Sequence, residues 1–352
     1  RNDLFRYSLA AGRQNDGFRR QATGCSALSF RYNRSLCTRR LPVMRVIRGL
    51  HNLRPEHSGS VATIGNFDGV HLGHQAVFRE LLAEGRNLGL PATVITFEPQ
   101  PLEYFAPERA PSRLTRLREK LGAMRDADVE RVLLLEFGPR LAKMSAESFI
   151  NTLLVERLAV RHLYVGDDFR FGRERKGDIA MLRDAGGRHG FTVDAMDTLS
   201  LDGERISSTR VRDALARGDL SSAARCLGRP YAICGRVAHG NKRGRSIGFP
   251  TLNVDLHRHV SPLRGVFAVR VAGVESAPLP GVANIGTRPT VAGDARYLLE
   301  VHLFDFSREI YGAHVTVEPV SRIRDERKFA SFDELRAQIE RDAKSAREQL
   351  GC

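Results

Sequence analysis

Two histidines three residues apart, His71 and His74, close the run Gly65-Asn66-Phe67-Asp68-Gly69-Val70-His71-Leu72-Gly73-His74. On a helix that spacing puts both imidazoles on one face. At a helix start, unpaired N–H groups and the positive dipole end favour an anion. Two rings there suit donation to an oxygen that gains charge in a transition state. The elements that would hold them are legible on both sides. Ser60-Val61-Ala62-Thr63-Ile64 is short, apolar and β-branched, which predicts a buried strand. Val77, Phe78, Leu81 and Leu82 recur at helical spacing, with Arg79, Glu80 and Glu84 opposite them. The glycines therefore fall in a strand-to-helix turn where backbone passes close to a ligand. The same pair also reads as a plain capped helix start, or as half of a metal site with Asp68 as its one flanking carboxylate.

Three further segments sit where strands should end. Thr96-Phe97-Glu98-Pro99-Gln100-Pro101 is a loop stiffened by proline. Gly166-Asp167-Asp168-Phe169-Arg170-Phe171-Gly172 gathers two carboxylates, two aromatics and an Arg. Ser207-Ser208-Thr209-Arg210-Val211-Arg212 opens a short helix, where hydroxyls and Arg side chains suit a polyphosphate or, more simply, cap the helix. Further on, Gly240, Gly244 and Gly248 alternate with cations in a loop whose backbone can close on phosphates, or which is simply a basic hairpin. Thr251 and Asn253 follow in an extended segment, so their oxygens face one side and suit a Mg²⁺ ion. In Tyr297–Leu303 alternation turns Leu299, Val301 and Leu303 inward and leaves Glu300 and His302 on the other face, as a catalytic or merely solvated carboxylate and its neighbour.

The elements behind these residues divide the chain. Strand patterns at 92–97, 131–137, 162–165 and 191–196 alternate with helical ones at 113–125, 145–158 and 178–187, which predicts a parallel, Rossmann-like sheet covered on both faces. Ligands then bind at the carboxyl ends of the strands. After Leu227-Gly228-Arg229-Pro230, short alternating runs at 233–237, 265–271, 297–304 and 313–320 predict a small antiparallel barrel. A capping box at Ser331-Phe332-Asp333-Glu334 starts a last helix with the apolar stripe Leu335, Ile339, Ala343, Ala346 and Leu350. The expected division is 1–43 outside the folded core, 44–225 as the α/β domain and 226–352 as the barrel domain with its C-terminal helix.

Composition limits the partners. The 352 residues are 42% hydrophobic and 27% charged, and no apolar run is long enough to span a membrane. Residues 1–43 carry nine Arg against Asp3 and Asp16, half of the +14 net charge, in a segment with no periodicity. The body is only moderately basic, so phosphate-bearing small molecules explain it without nucleic acid. Cys25, Cys37, Cys226, Cys234 and Cys352 form no CxxC pair, which fits free thiols in a cytoplasmic protein.

Residues 44–350 resemble the bacterial bifunctional riboflavin kinase/FMN adenylyltransferases, the FAD synthetases. The segments GNFDGVHLGH, TFEPQP, GDDFRFG, SSTRVR, GRSIGFPTLN, NIGTRPT, LEVHLFDF and RIRDERKF stand in the family's order. The resemblance implies that riboflavin and ATP give FMN, and that FMN and a second ATP give FAD and pyrophosphate. It implies that His71 and His74, with Gly65, Asn66, Phe67 and Asp68, meet the ATP phosphates in adenylyl transfer. Ser208, Thr209 and Arg212 would grip the polyphosphate, and Asp168 and Phe169 would lie near flavin or nucleotide. In the kinase site Gly240, Gly244, Gly248, Thr251 and Asn253 would bind ATP, Thr251 and Asn253 would hold Mg²⁺, and Glu300 would be the base. The sequence departs from the family at Leu252, usually Ala, and at Asp168, often Asn. Two rival readings are an adenylyltransferase whose second domain only binds flavin, and a basic nucleic-acid-binding module. Intact Thr251, Asn253 and Glu300 oppose the first, and the absence of Trp and of a stacking aromatic face opposes the second.

Overall fold

The computed structural model describes residues 44–238, 249–256, 260–289 and 295–352. Gly240, Gly244 and Gly248 lie outside the described residues. Six strands form a parallel sheet in the order β1-β4-β3-β2-β5-β6: β1 Arg45–Arg48, β2 Ser60–Ile64, β3 Ala92–Glu98, β4 Arg131–Glu136, β5 Val160–Gly166 and β6 Thr192–Met196. Every residue of β2 is buried, as a central parallel strand requires. The chain moves from β2 to β3 on one side and later returns to β5 on the other. The crevice between the carboxyl ends of β2 and β5 is therefore the switch point where such sheets bind ligands.

Helices cover both faces: α1 Leu72–Leu88, α2 Pro101–Phe105, α3 Leu117–Asp126, α4 Pro139–Ala142, α5 Ala146–Ser148 and α6 Ile179–His189. Residues 149–157, expected within one α-helix over 145–158, form a π-helix after α5. The helix expected over 113–125 begins only at Leu117, where the Glu119 carboxylate accepts the Arg116 N–H at 2.7 Å, and residues 113–116 stay outside it. A two-stranded hairpin, β7 Ser200–Leu201 with β8 Glu204–Arg205, leads into α7 Ser208–Arg217 and α8 Leu220–Leu227.

The remaining strands close a barrel in the order β10-β13-β12-β11-β14-β9, with β9 Ile233–Ala238, β10 Leu252–Asp255, β11 Gly265–Ala272, β12 Leu279–Pro289, β13 Ala295–Leu303 and β14 His314–Arg324. Its interior holds Ile233, Val254, Phe267, Val269, Ile285, Leu299, Val301 and Val317, all buried. The last helix, α9 Phe332–Leu350, is capped by Ser331, whose hydroxyl accepts from the Glu334 N–H. Ala346 and Leu350 of α9 pack on Val266, Ala268, Val282 and Phe304, the outer face of the barrel. The described residues belong to one compact unit, and the apolar cluster inside the barrel runs on into Val211, Leu215, Ala223 and Leu227 of α7 and α8.

Candidate active sites

The first site lies at the switch point. A cavity of about 310 Å³ is lined by Gly65, Asn66, Phe67, His71, His74, Gly166, Asp168, Phe169 and Ser208, among others. Two strand ends and the start of α7 thus converge on it. The turn that delivers the histidines is sharply bent: Phe67 and Val70 both hold positive φ, 48° and 45°, with Gly69 between them at 83°. Left-handed backbone is costly for a β-branched residue, so Val70 persists only because its surroundings fix it.

His71 is not in the helix but caps it. Its Nδ1 accepts the His74 N–H at 3.4 Å, which leaves the proton of the neutral ring on Nε2. The two rings stack with centroids 3.6 Å apart, and Phe67 meets His74 edge-on at 5.2 Å. Burial lowers the His71 pKa to about 4. Asp68 opposes the drop, and Arg205, Arg212 and Arg229 add to it. Burial also holds His74 well below 6.5, followed by repulsion from His71 and Lys120. Both imidazoles are therefore neutral N–H donors at pH 7. The His74 Nδ1 is buried with no partner among the described residues, an orphan polar atom beside the cavity.

Asp68, Thr209 and Arg212 do not line this cavity. The Asp68 carboxylate is buried, accepts the Leu114 and Thr115 N–H groups at 3.0 Å and pairs with Arg212 at 2.6 Å. Arg212 also donates to the Ser112 carbonyl. Ser207 caps α7 by accepting from the Arg210 N–H, and the Ser208 hydroxyl donates to the Asp68 carbonyl at 2.9 Å. These groups clamp the turn from behind. Asp168 is exposed beside Arg205 at 3.7 Å, and Phe169 stacks on Phe171.

The second site is on the outer face of the barrel. Register pairs Asn253 with Glu300, and Glu300 in turn with Asn284, so the three project on one face. Thr251 and Glu300 line one cavity of about 370 Å³ with Asn284, Gly286 and His302, roofed by Phe332, Leu335 and Ile339 of α9. Its wall includes Phe249, Leu298 and Phe329, a largely apolar slot with Glu300 along one side. Thr251 also lines a second, smaller cavity with Leu252, Phe306, Ile310 and Tyr311. His302 Nδ1 donates to the Pro250 carbonyl at 2.9 Å, anchoring the segment that carries Thr251.

Residues to which the motif reading gave no role are prominent here. Arg324 forms a forked pair with Asp342, with contacts of 2.7–3.0 Å, and its guanidinium lies over Phe329. In the first site Met196, Leu199 and Arg205 line the cavity although no motif marks them. Met196 ends β6, a strand the alternation did show, whereas Leu199 follows it and Arg205 ends β8, segments too polar and short to show a pattern.

Comparisons with known proteins cover both sites. Residues 53–210 match the family model for FAD synthetase, and residues 227–350 match that for riboflavin kinase. The bifunctional riboflavin kinase/FMN adenylyltransferase of Escherichia coli K12 is 54% identical over 309 residues, 88% of this chain and 98% of its own. The protein of the same description from Pseudomonas fluorescens is 52% identical over 304 residues, 86% of this chain and 97% of its own. A crystal structure described as a macrolide-efflux protein from Streptococcus pneumoniae superposes with a TM-score of 0.71 at 31% identity, covering 86% of this chain and 99% of that one. Among the described residues no helix is long and apolar enough to cross a membrane.

Proposed function

The chain belongs to the bifunctional riboflavin kinase/FMN adenylyltransferases, and from that premise we propose that its two cavities divide the two reactions between them. Riboflavin is phosphorylated to FMN at the barrel site, and FMN takes an adenylyl group from ATP at the switch-point site. What carries this assignment is that Glu300 lines the barrel cavity with Thr251, whereas His71 and His74 line the other.

The two reactions ask for different groups. Riboflavin attacks the γ-phosphorus of ATP with a neutral hydroxyl, whose proton must leave as the O–P bond forms and ADP departs. Glu300 accepts that proton. The apolar slot under α9 receives the flat flavin ring, and Thr251 stands at its edge where the nucleotide phosphates would approach. The hydroxyl of Thr251 and the carboxamide oxygen of Asn253 are hard oxygen donors on one face, a set that fits Mg²⁺ shared with phosphate oxygens and water. When bound, Mg²⁺ neutralises phosphate charge in the transfer. Gly240, Gly244 and Gly248 belong to the same nucleotide site by sequence.

At the switch point FMN attacks the α-phosphorus with a phosphate oxygen that is already anionic. A bond to phosphorus forms as the bond to pyrophosphate breaks, and no strong base is needed. Neutral His71 and His74 donate N–H to the oxygens that gain charge. Ser208 lines the polyphosphate side, and Arg212, through its bond to Asp68, holds the turn from behind. Asp168 and Phe169 face the flavin or nucleotide from the far rim. The domains on this reading are 44–225 and 226–352.

Chromatographic product analysis with riboflavin or FMN, ATP and Mg²⁺ tests the division. Glu300→Ala should slow FMN formation by roughly 10²–10⁴-fold and spare FAD formation from supplied FMN. His74→Ala should do the reverse. Equal loss of both activities in either variant refutes it.

A further inference from the structure

The largest charged group without any exposure is Lys120, on α3, with 0% of its surface accessible. Its ammonium donates to the Asn66 carbonyl at 2.7 Å, and the Thr96 hydroxyl supports the same oxygen at 3.3 Å. Among the described residues it has no carboxylate in salt-bridge contact. A buried cation held by one carbonyl is expensive, and a fold retains it where the charge or its hydrogen bond is used.

The turn it holds shows the use. Each carbonyl from 66 to 70 is engaged: Asn66 by Lys120, Phe67 by the Val70 N–H, Asp68 by Ser208, Gly69 by Arg229, and Val70 by Arg229 and Gln75. The N–H groups of Asn66, Phe67 and Asp68 have no protein acceptor among the described residues. A trans peptide carries its C=O and N–H on opposite edges. With the Asn66 oxygen pinned to Lys120 inside the core, the Phe67 N–H turns the other way, the side on which Gly65, Asn66 and Phe67 line the cavity. Successive N–H groups presented in this way form a concavity for phosphate oxygens.

We propose that Lys120 is a positioning residue for adenylyl transfer: from beneath the turn it fixes the 66–67 peptide so that its N–H meets the triphosphate of ATP beside His74. The inference rests on the switch-point cavity being the adenylyl-transfer site. Lys120 touches neither substrate, and it acts through the peptide it orients. Its charge also lies close enough to His74 to help keep that ring neutral.

The two-activity chain supplies its own control, because the kinase site lies on the barrel. Lys120→Met removes the donor and the buried charge at nearly constant volume; the desolvation cost it relieves offsets the bond lost at the Asn66 carbonyl, which keeps the Thr96 hydroxyl. Lys120→Gln keeps an N–H donor for the Asn66 carbonyl without the charge. We expect kcat of FAD formation to fall at least tenfold in Lys120→Met, with riboflavin phosphorylation and the melting temperature maintained. Lys120→Gln should recover part of that kcat. Normal FAD formation in Lys120→Met overturns the proposal. Parallel loss of both activities with a lower melting temperature in both variants overturns it too, since that is a purely structural role. Measuring His74→Ala alongside separates the two ideas. A damaged His74→Ala beside a normal Lys120→Met removes only the role of Lys120, whereas normal FAD synthesis in both removes the site.

Discussion

The stacked pair His71 and His74 links catalysis to stability through one proton. In the folded chain His71 has a pKa of about 4 because it is buried, against 6.5 when solvated. Between those values the unfolded chain binds a proton that the folded chain refuses, so stability is full above pH 6.5 and falls as the pH drops. From pH 7.5 to 5 the loss attributable to His71 is roughly 2 kcal/mol, taking 1.36 kcal/mol per pH unit. His71→Asn retains an oxygen to accept the His74 N–H and has nothing to titrate. Urea unfolding at both pH values should show a shallower acid loss in His71→Asn than in the parent, and equal losses would show that burial of this ring does not set the slope. The sequence made the pair visible but not its geometry. Spacing predicted two histidines inside the first turn, whereas one caps the turn and the other hydrogen-bonds to it. Lys120 was equally present in the sequence, a cation set among Leu117, Leu121 and Met124, but only the depth of its helix in the fold separates it from a surface lysine.

At the scale of elements, α9 decides whether the barrel has a covered slot or an open wall. The Ser331 cap and the stripe at Ala346 and Leu350 fasten its two ends, and the Arg324–Asp342 fork fastens its middle to the end of β14. Charge-assisted bonds of this kind contribute about 1.5–3 kcal/mol. Asp342→Asn should loosen the roof and raise the riboflavin KM about tenfold, by the usual 1.4 kcal/mol per decade, while FMN adenylylation keeps its parameters. An unchanged riboflavin KM would show that the helix is held without the fork. The elements around the slot differ in how far they could be read. Alternation exposed β13 because Leu299, Val301 and Leu303 are large and regular. β12 escaped because Pro280, Gly281, Gly286 and Pro289 interrupt its pattern, although it is 11 residues long. β1 escaped because it is four residues with Arg at both ends, placed as an edge strand beside β4.

The two catalytic modules do not behave as beads on a string. The Arg116 guanidinium donates to the Cys234 carbonyl, Glu119 accepts the Cys234 N–H at 2.9 Å, and Tyr231 donates to the Leu114 carbonyl. Arg229, just past α8, reaches back to the Gly69 and Val70 carbonyls of the turn that feeds the first site. The texture change at 227–230 is where the sequence reading divides the chain. That the apolar cluster crosses it was not legible, because alternation and helical spacing report which face of an element is apolar and not which partner that face meets. Leu227 stands at the centre of this seam. Its side chain is buried in the cluster shared by α7, α8 and the barrel, and its carbonyl accepts from Gln75 and Arg229. The folded chain should therefore lose both activities over one temperature interval, with a single calorimetric transition. Leu227→Ala creates a cavity in the shared core and should cost about 2–5 kcal/mol, moving that one transition down with both activities attached to it. Separate transitions, or kinase activity that outlasts adenylyl transfer on heating, would mean that the seam is contact without cooperativity.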